Sequence, residues 1–300
     1  MARAARQLEL AGVFASSITP RRRNSSDPDF SGLLDLVDFL AQGGVKGICL
    51  FGAAGEFLDY SIAERQRMLY LAVKRSRVPL IAGVSHSTLG GALQLADEAI
   101  AAGADGLLLM PPIFYPYTQC EIEEFFLQFA RETGDAVPIL LHNLPQCTSR
   151  IEPETVRKLA TSGRFAGIKD SSGDWEYFTQ LFGIRRQMPF AVMCGADRLL
   201  GRALTEGADG AISASACAVP ELVAALAANP RNELLSARLA EFVEWVNRFP
   251  FPVAIKRAVE LRGQKSAPAL TPLAPGTAQL LAEFSTWFNA WVRLGEPKHA

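Results

Sequence analysis

Short apolar runs rich in Val, Ile, Leu and Phe recur along this chain, each followed by a turn and then by a stretch whose apolar positions repeat at helical spacing. The runs fall at residues 12–18, 47–51, 80–83, 106–110, 138–142, 165–169, 190–194 and 210–213. Helical patterns occupy 30–42, 62–75, 91–102, 121–133, 153–162 and 198–206 between them. Eight strands spaced by helices predict an α/β fold, a closed parallel barrel of the TIM (β/α)8 type. Three of the strands are reached through one phrase: Gly44-Val45-Lys46-Gly47, Gly103-Ala104-Asp105-Gly106 and Gly207-Ala208-Asp209-Gly210. Such Gly-x-x-Gly joints suit a helix C-cap turning into the next parallel strand. Past residue 219 only helical patterns remain, at 221–228, 234–246, 254–261 and 277–292. The expected organisation is a barrel over 1–219 and a C-terminal helical extension packed on it over 220–300.

Composition narrows the classes of partner. Over 300 residues, 49% hydrophobic and 20% charged positions give the balance of a folded globular chain. A formal net charge of −1 with both signs interspersed supplies no field for nucleic acid or an anionic membrane, so the expected partner is a small molecule. The run Arg21-Arg22-Arg23 reads as a solvated loop, with anion steering as its other reading. Cys49, Cys120, Cys147, Cys194 and Cys217 are odd in number and contain no Cys-x-x-Cys pair, which favours a reducing compartment. No apolar run directly follows the positive charges between Met1 and Leu10, so this segment does not read as a secretory leader. No run reaches the roughly 18 apolar residues of a membrane span. The expected location is cytoplasmic.

In a barrel of this kind the reacting groups come from the C-terminal ends of strands and the loops after them. Four such segments stand out: Gly52-Ala53-Ala54-Gly55-Glu56, Pro111-Pro112-Ile113-Phe114-Tyr115, His142-Asn143-Leu144-Pro145, and Lys169 at the end of Phe165-Ala166-Gly167-Ile168-Lys169. Burying an ammonium is costly. Desolvation lowers a lysine's pKa and frees its lone pair for attack on a carbonyl. By position alone, a lysine that reaches out to water or pairs with a carboxylate fits equally well. The histidines are His86, His142 and His299, in no metal-binding spacing, and Gly-x-Ser-x-Gly, Gly-x-Gly-x-x-Gly and Walker motifs are missing. Neither a metal nor a dissociable cofactor is expected.

These four segments, in this order, resemble the dihydrodipicolinate synthase / N-acetylneuraminate lyase family of class I aldolases, over most of the chain. Gly167-Ile168-Lys169-Asp170-Ser171-Ser172-Gly173 is similar to that family's lysine phrase, and Pro252-Val253-Ala254-Ile255-Lys256 is also family-like. The resemblance implies that Lys169 forms a Schiff base with a small 2-oxo acid. The departures fall inside the pocket. Ala53 and Ala54 stand where the family usually has two hydroxyl residues, leaving backbone N–H groups of the loop to bind a carboxylate. His142 stands at the family's catalytic tyrosine. It serves either as the acid-base in place of the phenol or as a hydrogen-bonding group while water moves the proton. Phe114 takes the place of a tyrosine that reaches the neighbouring subunit's site, and Tyr115, one residue later, either supplies the phenol or caps an apolar rim. Cys147 replaces an arginine of the dihydrodipicolinate synthases. Gly195 and Ile212 match positions that border bound pyruvate, and barrel packing accounts for them as well.

The resemblance implies catalytic Lys169, His142 and Tyr115, with Gly52, Ala53, Ala54, Gly195 and Ile212 around the substrate. The reaction expected is aldol cleavage or dehydration of a 2-oxo acid, with a 2-keto-3-deoxy sugar acid suited to the altered pocket. The alternatives are condensation of pyruvate with an aldehyde and a non-catalytic metabolite-binding relative. The family also implies a homotetramer built as a dimer of dimers.

Overall fold

The computed structural model describes residues 8–23, 25–266 and 270–294. Most of the N-terminal segment read for a leader, and His299, lie outside them. Strands β1 (Gly12–Ser16), β2 (Gly47–Leu50), β3 (Leu80–Gly83), β4 (Gly106–Leu109), β5 (Ile139–Asn143), β6 (Gly167–Asp170), β7 (Ala191–Cys194) and β8 (Gly210–Ser213) form one closed barrel in chain order. Every neighbouring pair is parallel, and β8 pairs back onto β1 through Gly12↔Gly210 and Phe14↔Ile212. The expected TIM barrel with added C-terminal helices is the fold observed.

Helices α1 (Phe30–Gln42), α2 (Ile62–Arg75), α3 (Leu89–Ala102), α4 (Gln119–Thr133), α5 (Pro153–Thr161), α6 (Trp175–Arg185), α7 (Leu200–Glu206) and α8 (Pro220–Ala228) alternate with the strands. Beyond them lie α9 (Glu233–Val246), α10 (Val253–Leu261) and α11 (Pro275–Arg293). Helix α8 packs on β1 as the eighth barrel helix, so the last βα unit runs across residue 219. Helix α6 is missing from the patterns read in the sequence. Tyr177, Phe178, Leu181, Phe182 and Ile184 are buried, whereas the exposed side has only Glu176, Thr179, Gln180 and Arg185 among Trp175 and Gly183, so the polar stripe that would announce the helix is weak. Its start is nevertheless capped, with Asp174 Oδ1 accepting from Tyr177 N at 3.2 Å.

The repeated phrase has a structural meaning. Gly103 is the left-handed C-cap of α3 at φ +87°, and Gly44 and Gly207 also hold positive φ, the conformation glycine adopts at least cost. The aspartates of the two Ala-Asp copies reach sideways to the preceding strand. Asp105 Oδ2 accepts from Leu80 N at 2.8 Å, and Asp209 Oδ2 accepts from Val192 N at 2.9 Å. Each carboxylate therefore satisfies a strand-start amide and locks two neighbouring βα units together.

Side chains alternate across each strand. Phe14, Cys49, Ile81, Leu108, Leu140, Met193 and Ile212 fill the barrel interior as one buried cluster. Intervening residues such as Ala15, Ile48, Ala82, Leu141 and Ile168 face the helices in the larger outer core. The interior apolar layer closes the bottom of the barrel and leaves the next inward positions, two residues further along, for chemistry.

Helices α9 and α11 are joined by an aromatic cluster of Phe242, Trp245, Phe284, Trp287, Phe288 and Trp291, with ring centroids 5.3 Å apart for Trp245–Trp287 and 5.7 Å for Phe242–Phe288. This packing holds α9 and α11 to each other, while α9 also packs on α8 and on the turn at Asp197–Leu199. The arginine run does not read as the sequence suggested. Arg22 and Arg23 are exposed, whereas the Arg21 side chain is fully buried and pairs with Asp59 at 2.6 Å and Glu56 at 3.3 Å. Among the described residues no helix is long and apolar enough to cross a membrane.

Candidate active site

The alternation that fills the barrel floor also builds the site. Leu140, Gly167 and Met193 precede His142, Lys169 and Gly195 by two positions, so these three face inward one step nearer the C-terminal end of the barrel. His142 and Lys169 are register partners on β5 and β6. They line one cavity of about 460 Å³, together with Ala53, Ala54, Gly195 and Ile212. Six of the eight site residues read from the sequence thus converge. Gly52 is buried but does not line the cavity, and neither does Tyr115. Tyr115 is 63% exposed and Phe114 83% exposed on the outer surface, their rings edge to face at 4.9 Å.

Lys169 is 4% exposed, and burial pulls its pKa below the ordinary lysine value. The carboxylate of Asp197 opposes that shift only in part. His142 is 1% exposed. Burial first, and the charge of Lys169 second, hold it well below the usual imidazole range, so it is neutral at physiological pH and has one free ring nitrogen to accept a proton. Cys49, beneath Lys169, is pushed up to about 11 by burial, so it stays a thiol and offers the lysine no counter-charge. A lysine whose pKa is lowered by burial, beside a neutral imidazole, is suited to carbonyl addition, because desolvation favours the neutral, nucleophilic amine.

The support behind the lysine is rigid. Asn143 Nδ2 donates to Asp170 Oδ1 at 2.6 Å, Asn143 Oδ1 accepts from Ile151 N at 3.1 Å, and Ser172 Oγ donates to Asp170 Oδ2 at 2.8 Å. These bonds fix both strand ends from outside the barrel. Ala53–Gly55 forms a single 3-10 turn after Gly52, and its first amides have no acceptor within the turn. Glu56, in the left-handed region at φ 48°, turns the chain out of the site.

The cavity also contains residues that the sequence reading did not single out: Ser16, Ser171, Gln146, Asp197, Arg198 and Asn247. Ser16 carried a signal, since a serine pair ending an otherwise apolar strand is unusual in a barrel interior. Asn247 carried none, because only the packing of α9 brings it to the mouth. Cys147, exposed on the loop after β5, lines the outer part with Leu144 and Phe251.

The model of the dihydrodipicolinate synthetase family matches residues 9–290. An uncharacterised DapA-like lyase of Chloroflexus aurantiacus is 34% identical over 280 residues, covering 89% of this chain and 92% of the relative. The 4-hydroxy-tetrahydrodipicolinate synthase of Methanosarcina barkeri is 31% identical over 279 residues, covering 88% and 92%. Among solved structures, YagE of E. coli K12, a prophage protein of the dihydrodipicolinic acid synthase family in complex with pyruvate, superposes with a TM-score of 0.86 at 26% identity. That superposition covers 94% of this chain and 98% of the other.

Proposed function

The chain belongs to the dihydrodipicolinate synthetase family of Schiff-base-forming class I lyases that act on small 2-oxo acids, and on that premise we propose that Lys169 is its imine-forming amine. The observation that carries the assignment is the pairing of a buried lysine with a neutral buried histidine across β5 and β6 in a cavity at the C-terminal end of the barrel.

The substrate carboxylate sits on the backbone amides of Ala53 and Ala54, with Gly195 and Ile212 flanking the three-carbon head. Lys169 Nζ adds to the C2 carbonyl, water leaves, and the protonated imine becomes an electron sink. In a cleavage, the C4 hydroxyl gives up its proton and the C3–C4 bond pair closes into a C2=C3 enamine, releasing an aldehyde. In a dehydration, a C3 proton is removed first and the C4 hydroxyl departs. His142 is the acid-base for these transfers. A 2-keto-3-deoxy sugar acid carries the C2 ketone and C4 hydroxyl both routes need, and Asp197, Arg198 and Asn247 provide polar partners for its distal hydroxyls.

A second reading runs the same enamine in the opposite direction, condensing pyruvate with an aldehyde. The names of curated relatives about a third identical favour it, and the pyruvate bound to the E. coli protein supports it. Cys147 weighs against dihydrodipicolinate synthesis itself, because a thiol, having no positive charge, cannot replace a cation in binding an anionic acceptor. We also infer a homotetramer, in which the exposed Phe114–Tyr115 pair meets a second copy and brings Tyr115 to a shared site. Sedimentation as a monomer at assay concentration would remove that part of the reading.

The decisive experiment is intact mass after borohydride reduction in the presence of pyruvate and a panel of longer 2-oxo sugar acids. A mass increment that disappears in Lys169→Ala is expected, and the acid trapped most completely identifies the substrate class. An increment that survives Lys169→Ala, or none with any acid, would overturn the assignment.

A further inference from the structure

Imine formation requires a proton to travel from the attacking nitrogen to the departing oxygen, and the pocket has neither the loop hydroxyls nor the phenol for that path. We propose that Ser171 is the catalytic proton carrier and that it works as one unit with His142; this rests on Lys169 being the imine-forming amine. His142 Nε2 and Ser171 Oγ are hydrogen-bonded at 3.2 Å. A Cβ built on Gly195 would lie 2.2 Å from Ser171 Oγ and 2.8 Å from Lys169 Cε. The hydroxyl and the amine-bearing carbon therefore press on the same bare face of Gly195, no farther apart than those two distances laid end to end. Ser171, His142 and Lys169 all border the cavity. The neighbouring Ser172 is unsuited to the task, because its hydroxyl is committed to Asp170 Oδ2 at 2.8 Å. The amide of Ser171 is itself pinned, donating to Asn143 O at 2.9 Å.

Addition of Nζ to C2 forms the C–N bond and moves the carbonyl π pair onto oxygen. Ser171 Oγ accepts a proton from the cationic nitrogen as its own proton passes to His142 Nε2. The return passage delivers that proton to the anionic oxygen and leaves a neutral carbinolamine. A further proton, taken by His142 from water in the open cavity, follows the same path to the hydroxyl, which departs as water while the nitrogen lone pair forms C=N. Serine and histidine end as they began; the departing water carries the proton drawn from solvent, and the protonated imine keeps the lysine's remaining N–H.

The test is rapid-quench borohydride trapping of pyruvate on wild type, Ser171→Ala, His142→Asn and the double variant. Binding of lactate, which has no carbonyl to attack, serves as the measure of an intact pocket. General acid-base transfer contributes typically 10²–10⁴-fold, so each single variant is expected to form the imine about 100-fold more slowly with lactate affinity unchanged. The double variant is expected to be no slower than the slower single, as for residues acting together. Trapping by Ser171→Ala within about twofold of wild type would overturn the proposal, as would losses that multiply in the double variant. Failure of wild type to give any Lys169 adduct would instead overturn the assignment on which it rests.

Discussion

Lys256 Nζ donates to Glu56 Oε2 at 2.7 Å across 200 residues of sequence, tying α10 to the turn that carries Ala53 and Ala54. The pair is nearly dry, with side-chain exposures of 3% and 11%. Arg21 approaches the same carboxylate and also bonds Asp59 and the Tyr60 hydroxyl. Two cations thus face two carboxylates behind the substrate loop, and the helical extension becomes part of the site's support.

Removing one member of such a cluster leaves a buried charge uncompensated, which costs about 3–5 kcal/mol. Lys256→Ala is therefore expected to destabilise the fold by that order, and the double substitution Lys256→Met with Glu56→Gln by less than Lys256→Ala alone. Urea unfolding measures both. A Lys256→Ala variant as stable as wild type would show that the ion pair does not hold the loop.

Gly195 is the next point of tension. A methyl group there would meet Ser171 Oγ, Lys169 Cε and, at 2.9 Å, the carbonyl oxygen of Asp170. The first two are side chains that shift, the third is backbone that resists. Gly195→Ala is expected to cost about 1–3 kcal/mol in stability from overpacking and to lower borohydride trapping at Lys169 at least tenfold by displacing the amine. Normal trapping by this variant would place the reacting carbon elsewhere in the cavity.

The lowered pKa of Lys169 sets the pH dependence of imine formation. The neutral amine is the nucleophile, so the trapping rate rises with pH through the lysine's pKa and then levels. Because burial depresses that pKa, the midpoint of the rise is expected below pH 10.5, where a solvated lysine would be half deprotonated. A trapping rate that climbs without a break up to pH 10.5 would contradict the desolvated amine.

Asp170 makes an opposite demand on stability. Burial raises its pKa from 3.8 to about 6, against the hydrogen bonds from Asn143 and Ser172. The folded state holds the proton more tightly than the unfolded chain. This contribution to stability is fully present below pH 4 and is lost as pH rises through 6. Relative to wild type, Asp170→Asn is expected to gain stability between pH 4 and about 6.5, by about 3 kcal/mol in all, and to run parallel above. Unfolding curves whose difference stays flat across that window would remove the shift.

Much of this was legible in the chain itself. The barrel followed from the spacing of apolar runs, and Lys169 and His142 from their places at strand ends, because a period of two and a fixed functional face leave little freedom there. Helix α6 was not legible, since Trp175 and Gly183 interrupt its thin exposed stripe of Glu176, Thr179 and Gln180 and weaken the amphipathic contrast. Arg21 was misread for a different reason: its carboxylate partners Glu56 and Asp59 come from another βα unit, and no local pattern announces a buried pair made through the fold. Ser171 was visible within the lysine phrase, yet only the bond to His142 and the bare face of Gly195 give it a role.

The last prediction separates a retuned site from a decayed one. Restoring hydroxyls at Ala53 and Ala54 and a phenol at His142 would rebuild the proton path of the wider family inside this barrel. Ala54 is 1% exposed, so Ala54→Thr adds volume to a filled wall and Ala53→Thr, half-buried, adds less. His142→Tyr also breaks the bond to Ser171. If the present residues form a working relay suited to the chain's own substrate, the triple variant should turn that substrate over at least tenfold more slowly than wild type. A triple variant that instead gains activity, with pyruvate and an aldehyde as substrates, would mean that the wild-type pocket has lost its proton path and that His142 carries no proton in it.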